Sequence, residues 1–285
     1  MGSEDVEIKR VMTKKMITIN PSASLLEAIN LMTSEKISRL IIADNNSAVG
    51  VVTKKDIIRY TSSDVSGRTL DIIPISDCMT ESLVTENEKA RISSVAALML
   101  EFGISSVIIT NKSDNLVGIV TKMDIAKFFS DKLSKRFKVK DWMSAPVVTI
   151  QPANSIYYAA ELMTKKKISR LVVTESSLVG IVTVSDLVAV SPLLVAVADS
   201  KDHAFVAGSD YMVPTIMFPH LTVADIMRTN VISIRSDSDV AEASNIMLKR
   251  GISGLPVLDN SLELVGILTK TDLCKILAKF NKINS

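Results

Sequence analysis

A chain of 285 residues that is 47% hydrophobic but only 4% aromatic must build its core from Val, Ile, Leu, Ala and Met, in one large domain or two ordinary ones. Its 33 Lys and Arg nearly balance 31 Asp and Glu, and no block of like charges stands out. A dedicated nucleic-acid-binding surface is therefore not expected, and a small anionic ligand is the most that the formal charge of +2 suggests.

The opening MGSEDVEIKRVM has no apolar leader core, and Val6 stands where N-myristoylation needs Ser or Thr. A short β-type run, MITI from Met16, follows Met12 and leads into the polar break NPSAS. Leu25, Ala28 and Met32 then fall on one helical face, with Ser24 and Glu27 placed to form a capping box at its start. The β-rich run ISRLII from Ile37, a polar turn and AVGVVT predict a hairpin, whose last residue, Thr53, opens a second helix.

The same order returns three times. Met79 precedes LVTE, the helical face of Ile92, Val95 and Met99, ISSVII and LVGIVT. Met143 precedes VVTI, the face of Ile156, Ala159 and Met163, ISRLVV and LVGIVT. Met227 precedes VISI, the face of Val240, Ala243 and Met247 with Asp239 and Glu242 as a second capping box, then ISGLPV and LVGILT. Each hairpin closes on one phrase: GVVTKKDI at Gly50, GIVTKMDI at Gly118, GIVTVSDL at Gly180 and GILTKTDL at Gly266.

The chain thus reads as four βαββα repeats of the α/β (α+β) class, at 8–60, 75–130, 138–190 and 223–280, with an insert over 191–222. A unit of roughly 45 residues is too small to bury enough surface alone, so repeats are expected to pair, the first with the second and the third with the fourth. Cys78 and Cys274 belong to no CxxC or Cys/His cluster and read as reduced core thiols. The longest apolar run, VAVSPLLVAVA, is interrupted and too short for a bilayer span, so no membrane association and a cytoplasmic location are expected.

Thr and Asp recur three residues apart where a strand meets a helix: Thr53 and Asp56, Thr121 and Asp124, Thr183 and Asp186, Thr269 and Asp272. As structure, Thr is an N-cap and the acidic residue favours the positive helix end. As chemistry, a carboxylate there would repel phosphate but can accept two hydroxyls of a ribose diol. Both readings stand on the residues alone. Arg39 and Arg170 occupy the start of the second strand in repeats 1 and 3, where Ser106 and Gly254 stand in the others. Each arginine is either a solvated edge charge or a phosphate partner. The histidines, His203 and His220, fall in the insert, and no GxGxxG, GxxxxGK[ST], GxSxG or HExxH motif occurs, so no enzymatic role and no catalytic cofactor are expected.

The four phrases and the pattern preceding them resemble cystathionine β-synthase (CBS) domains, which associate in pairs as Bateman modules. The two-module arrangement resembles the regulatory γ subunits of AMP-activated protein kinases, with a pseudo-fourfold disc as one arrangement. The resemblance implies that the Thr–Asp pairs hold the ribose of an adenosine ligand: AMP, ADP or ATP. It implies that Arg39 completes a phosphate site with Thr121 and Asp124, and Arg170 one with Thr269 and Asp272. Adenine would lie against Val84, Ser105, Ile232 and Ser253, whose bland reading is strand core. The kinase subunit's histidine partner of the arginine is missing here. The implied function is regulation of a protein partner through ligand-dependent packing, by a monomer or homodimer. The alternative is a scaffold with vestigial clefts that binds a protein or nucleic-acid partner.

Overall fold

The computed structural model describes residues 5–35, 37–44, 47–63, 68–113, 115–187, 189–190 and 221–283. The insert, apart from Leu221 and Thr222, lies outside these, as do His203 and His220.

Each repeat forms one three-stranded sheet in which a short first strand runs parallel to the second and the second and third form an antiparallel hairpin. The strands are β1 Thr18–Ile19, β2 Arg39–Asp44 and β3 Ser47–Thr53 in repeat 1, and β4 Thr85–Asn87, β5 Ser106–Thr110 and β6 Leu116–Thr121 in repeat 2. Repeat 3 has β7 Thr149–Ile150, β8 Arg170–Thr174 and β9 Leu178–Thr183; repeat 4 has β10 Ile234–Arg235, β11 Gly254–Leu258 and β12 Leu264–Thr269. The first strands are shorter and begin later than the β-type runs predict. Only two or three residues of each pair with the second strand before the chain turns toward the helix.

Eight helices are used below: α1 Leu25–Ser34, α2 Lys54–Ser63, α3 Ile92–Glu101, α4 Lys122–Lys132, α5 Ile156–Lys165, α6 Val223–Ile226, α7 Val240–Arg250 and α8 Lys270–Ile283. The capping box of α1 forms as expected: Glu27 N donates to Ser24 Oγ at 3.1 Å and Ser24 N to Glu27 Oε2 at 2.7 Å. The box expected at α7 is replaced by a different cap. One Asp239 oxygen accepts from Ala241 N at 2.8 Å, and the other accepts from Lys135 N of a preceding segment rather than leaving a reciprocal cap to Glu242.

The chain divides into two compact units. Unit A holds Met1–Met16, Leu83–Val147 and Ile232–Ser285; unit B holds Ile17–Ser82 and Val148–Val231. In unit A, α3 packs on α8 and α4 on both α7 and α8, so repeats 2 and 4 share one core containing Ile92, Met99, Phe129, Val240, Met247 and Leu277. In unit B, the described residues of repeat 1 cluster around Leu25, Met32, Leu40 and Val52, and those of repeat 3 around Ala159, Leu171 and Val182. Both cysteines are free and buried, and burial pushes each thiol up to about 12.

The segment leading into one repeat is built into another repeat's sheet. Thr13 bridges Ile119 of β6 in unit A, and Thr80 bridges Val51 of β3 in unit B. Likewise Ser144 bridges Ile267 of β12 in unit A, and Arg228 bridges Ile181 of β9 in unit B. Each bridge is a reciprocal pair of backbone hydrogen bonds of 2.8–3.1 Å. The exchange explains the glycine of the repeated phrase. A Cβ on Gly50, Gly118, Gly180 or Gly266 would lie no more than 2.7 Å from the sulfur of Met79, Met12, Met227 or Met143, the methionine just ahead of each bridging residue. Methionine and glycine recur together because one is seated on the other.

Candidate ligand site

The Thr–Asp pairs stand at one end of their sheets, where the third strand ends and the second helix begins. Backbone pairing sets Thr53 opposite Arg39, Thr121 opposite Ser106, Thr183 opposite Arg170 and Thr269 opposite Gly254. The residue just before each of these second-strand positions accepts a backbone bond from the residue that follows the threonine. Ser105 O takes Lys122 N at 3.1 Å, and Ser253 O takes Lys270 N at 3.2 Å.

Every aspartate divides its oxygens in the same way. Oδ2 is used by the helix start, accepting from the backbone N–H and the hydroxyl of its own threonine. These distances are 2.9 and 2.6 Å at Asp56, 2.7 and 2.7 Å at Asp124, 2.9 and 2.6 Å at Asp186, and 2.8 and 2.7 Å at Asp272. All four aspartates thus serve the helix start, and at Thr53 and Thr121 the threonine hydroxyl accepts in return from the aspartate N–H. This leaves the second oxygen, Oδ1, for other work.

What meets Oδ1 differs between repeats. At Asp124 it is the Thr13 hydroxyl, at 3.1 Å. At Asp272, which is 1% exposed, it is the Ser144 hydroxyl at 3.0 Å together with the Lys275 ammonium at 2.7 Å. At Asp56 it is the Arg59 guanidinium, at 3.0 Å. At Asp186 it is Arg228, through Nε at 3.1 Å and Nη2 at 3.0 Å. Thr13, Ser144 and Arg228 were missed by sequence reasoning. The available signal was their shared place, one residue after each repeat methionine, with Thr80 the fourth member.

Of the adenine candidates, Val84 and Ile232 lie just ahead of β4 and β10, partly buried against the unit A core, and Val84 O accepts from Ile108 N at 3.2 Å. Val84, Ser105, Thr121 and Asp124 all belong to repeat 2 of unit A, and Ile232, Ser253, Thr269 and Asp272 to repeat 4 of unit A. Arg39 and Arg170 belong to unit B, where both are half-buried. Among the described residues there is no cluster of His, Cys, Asp and Glu suited to a metal ion, and no helix is long and apolar enough to cross a membrane.

Two solved structures share this fold over nearly the whole chain. Protein MJ1225 of Methanocaldococcus jannaschii is 26% identical over 288 aligned residues, covering 95% of this chain and 98% of that protein. Its crystal structure superposes with a TM-score of 0.75 at 23% identity, over 96% of this chain and all of that one. An uncharacterised conserved protein from Pyrococcus horikoshii gives a TM-score of 0.65 at 21% identity, over 95% of this chain and 99% of that one. The CBS pair of protein MJ0100, crystallised with 5′-methylthioadenosine and S-adenosyl-L-methionine, is 28% identical. It covers 45% of this chain and 98% of its own, with a TM-score of 0.40. The CBS-domain family matches residues 8–63, 75–131, 139–192 and 223–279, one repeat each, and with most of the chain so accounted for, the protein belongs to the CBS-domain family.

Proposed function

We propose that the protein is a regulatory, adenosine-ligand-binding chain in which Thr121–Asp124 and Thr269–Asp272 hold the ribose of AMP, ADP, ATP or a related adenosine compound. The observation that carries the reading is the division of labour at the aspartates. One oxygen satisfies the helix cap, while the other faces hydroxyl donors from Thr13 or Ser144, which a ribose diol can replace group for group. Ser105 and Ser253 at the same sheet ends, with Val84 and Ile232, are the proposed adenine contacts.

Pairing of repeat 1 with 2 and of 3 with 4 is supported by the leading segments, because each repeat's sheet is completed by the segment that precedes its partner. A ligand that favours one packing of a pair would bias the equilibrium by its difference in affinity for the two, which is the physical content of a regulatory role. The regulated protein, a cytoplasmic setting and a monomeric or homodimeric state belong to the same proposal.

Thermal denaturation with AMP, ADP, ATP and S-adenosylmethionine tests it. A ligand confined to the native state adds RT ln(1 + [L]/Kd), about 2.7 kcal/mol at 100 Kd, which for a chain of this size is a rise of several degrees. Guanine and pyrimidine nucleotides should do less. If no adenosine compound at millimolar concentration moves the transition, the chain is a scaffold with vestigial clefts.

A further inference from the structure

We propose that Arg228 is a built-in plug for the Thr183–Asp186 site, withholding that carboxylate from a ribose diol and so setting how many adenosine ligands the chain takes up. The inference rests on the ribose reading of the Thr–Asp pairs.

Arg228 does not reach Asp186 as a stray surface side chain. Its backbone is clamped to β9 by reciprocal bonds, Arg228 N to Ile181 O at 2.9 Å and Ile181 N to Arg228 O at 3.1 Å. The preceding Met227 is seated over Gly180, which anchors the chain just ahead of the arginine as well. From that anchor Nε and Nη2 both donate to Asp186 Oδ1, the oxygen left over by the helix cap. The Asp186 side chain is 9% exposed and that of Arg228 66% exposed, so the arginine lies over the acid from the solvent side. The matching places in the other repeats hold Thr13, Thr80 and Ser144, whose hydroxyls are short and neutral.

Two consequences follow for a ligand. A ribose hydroxyl can take the place of the Thr13 or Ser144 hydroxyl at Oδ1 with little loss, since one neutral donor replaces another, and at Asp272 the half-exposed Lys275 ammonium can stay on the same oxygen. At Asp186 the same hydroxyl must displace a guanidinium that donates through two nitrogens and carries the opposite charge, an ion pair rather than a single hydroxyl bond. It must also clear a long side chain from the mouth of the site.

Calorimetric titration of the full chain with AMP, ADP, ATP and S-adenosylmethionine, each in turn, tests the plug. Arg228→Thr installs the residue type found at positions 13 and 80, and Arg228→Gln shortens the side chain and removes its charge should the threonine variant fold poorly. The expected result is one more ligand per chain in either variant than in the parent. That gain should be lost again when Asp186→Asn is added. An unchanged stoichiometry in folded variants whose parent binds ligand overturns the plug while leaving the ribose reading intact. So does a gained site that survives Asp186→Asn. If parent and variants all bind nothing, both readings fall together. If the parent binds nothing and the variants bind one ligand, the plug holds and the unit A sites are the ones refuted.

Discussion

Asp124 and Asp272 carry the same cap but face different neighbours across Oδ1, and this separates what an asparagine does at each. In Asp124→Asn the new side chain can keep its carbonyl toward the Thr121 N–H and hydroxyl, and the Thr13 hydroxyl can turn to accept from the new amide, so the fold loses little. In Asp272→Asn the amide hydrogens would be brought against the Lys275 ammonium, so the half-exposed lysine turns to solvent and the buried side chain at 272, at a position 1% exposed, loses that partner. Asp124→Asn is therefore expected to cost a few tenths to about 1 kcal/mol in chemical denaturation, the range of a lost cap. Asp272→Asn should cost more, about 1–3 kcal/mol, the range for breaking a buried hydrogen bond. Binding should respond differently from stability. Loss of a charge-assisted bond to ribose at Asp124 should weaken ligand affinity by about 10- to 100-fold even though the variant is nearly as stable as the parent. A variant that binds like the parent and merely melts earlier would reduce Thr121–Asp124 to a helix cap.

At the level of elements, the recurring contact is a methionine seated on a hairpin glycine. The tightest is at Gly266, where a Cβ would overlap Met143 Sδ and fall 2.8 Å from its Cγ. Gly266→Ala must push the thioether aside, and overpacking of this kind costs about 1–3 kcal/mol. In a Met143→Ala background the same substitution should be nearly free, so a double-mutant cycle should show a coupling of about 1 kcal/mol or more. Additive losses would mean that the glycine serves the strand rather than the methionine. The four hairpins and their flanking helices were legible in the sequence because alternation, helical spacing and a repeated phrase each act over a few residues. The purpose of the glycine was not, although the methionines were noticed as repeat markers. Its partner arrives from a different part of the chain, and no local pattern encodes that meeting. The short first strands were overestimated: LVTE and VISI are β-prone, but their leading residues stay outside the ladder although the neighbouring strands reach back to Ser106 and Gly254.

For the whole molecule, sequence order predicted repeats but not which helical faces would meet. Nothing in Leu277 or Phe129 taken alone marks repeats 2 and 4 as sharing one core. The two thiols report on these units separately, since Cys274 lies in unit A and Cys78 in unit B. Burial holds each near 12 against an ordinary value of 9.0, with Asp56 and Asp77 adding to the shift at Cys78. A thiol is neutral when protonated, so its folded-state proton is held more tightly than in the unfolded chain. Below about pH 9 both states are protonated and the thiols contribute no pH dependence. Between about 9 and 12 only the unfolded chain releases the proton, and stability falls by up to about 1.4 kcal/mol per pH unit for each thiol. Urea unfolding from about pH 8 to 10.5 should therefore show a loss that begins near pH 9. Cys274→Ala and Cys78→Ala will each shift the baseline through the small cavity they leave, but each should also make the alkaline slope shallower, and the double variant more so. If the double variant keeps the parent's slope, lysine and tyrosine ionisation accounts for the alkaline loss and the thiols are not its cause.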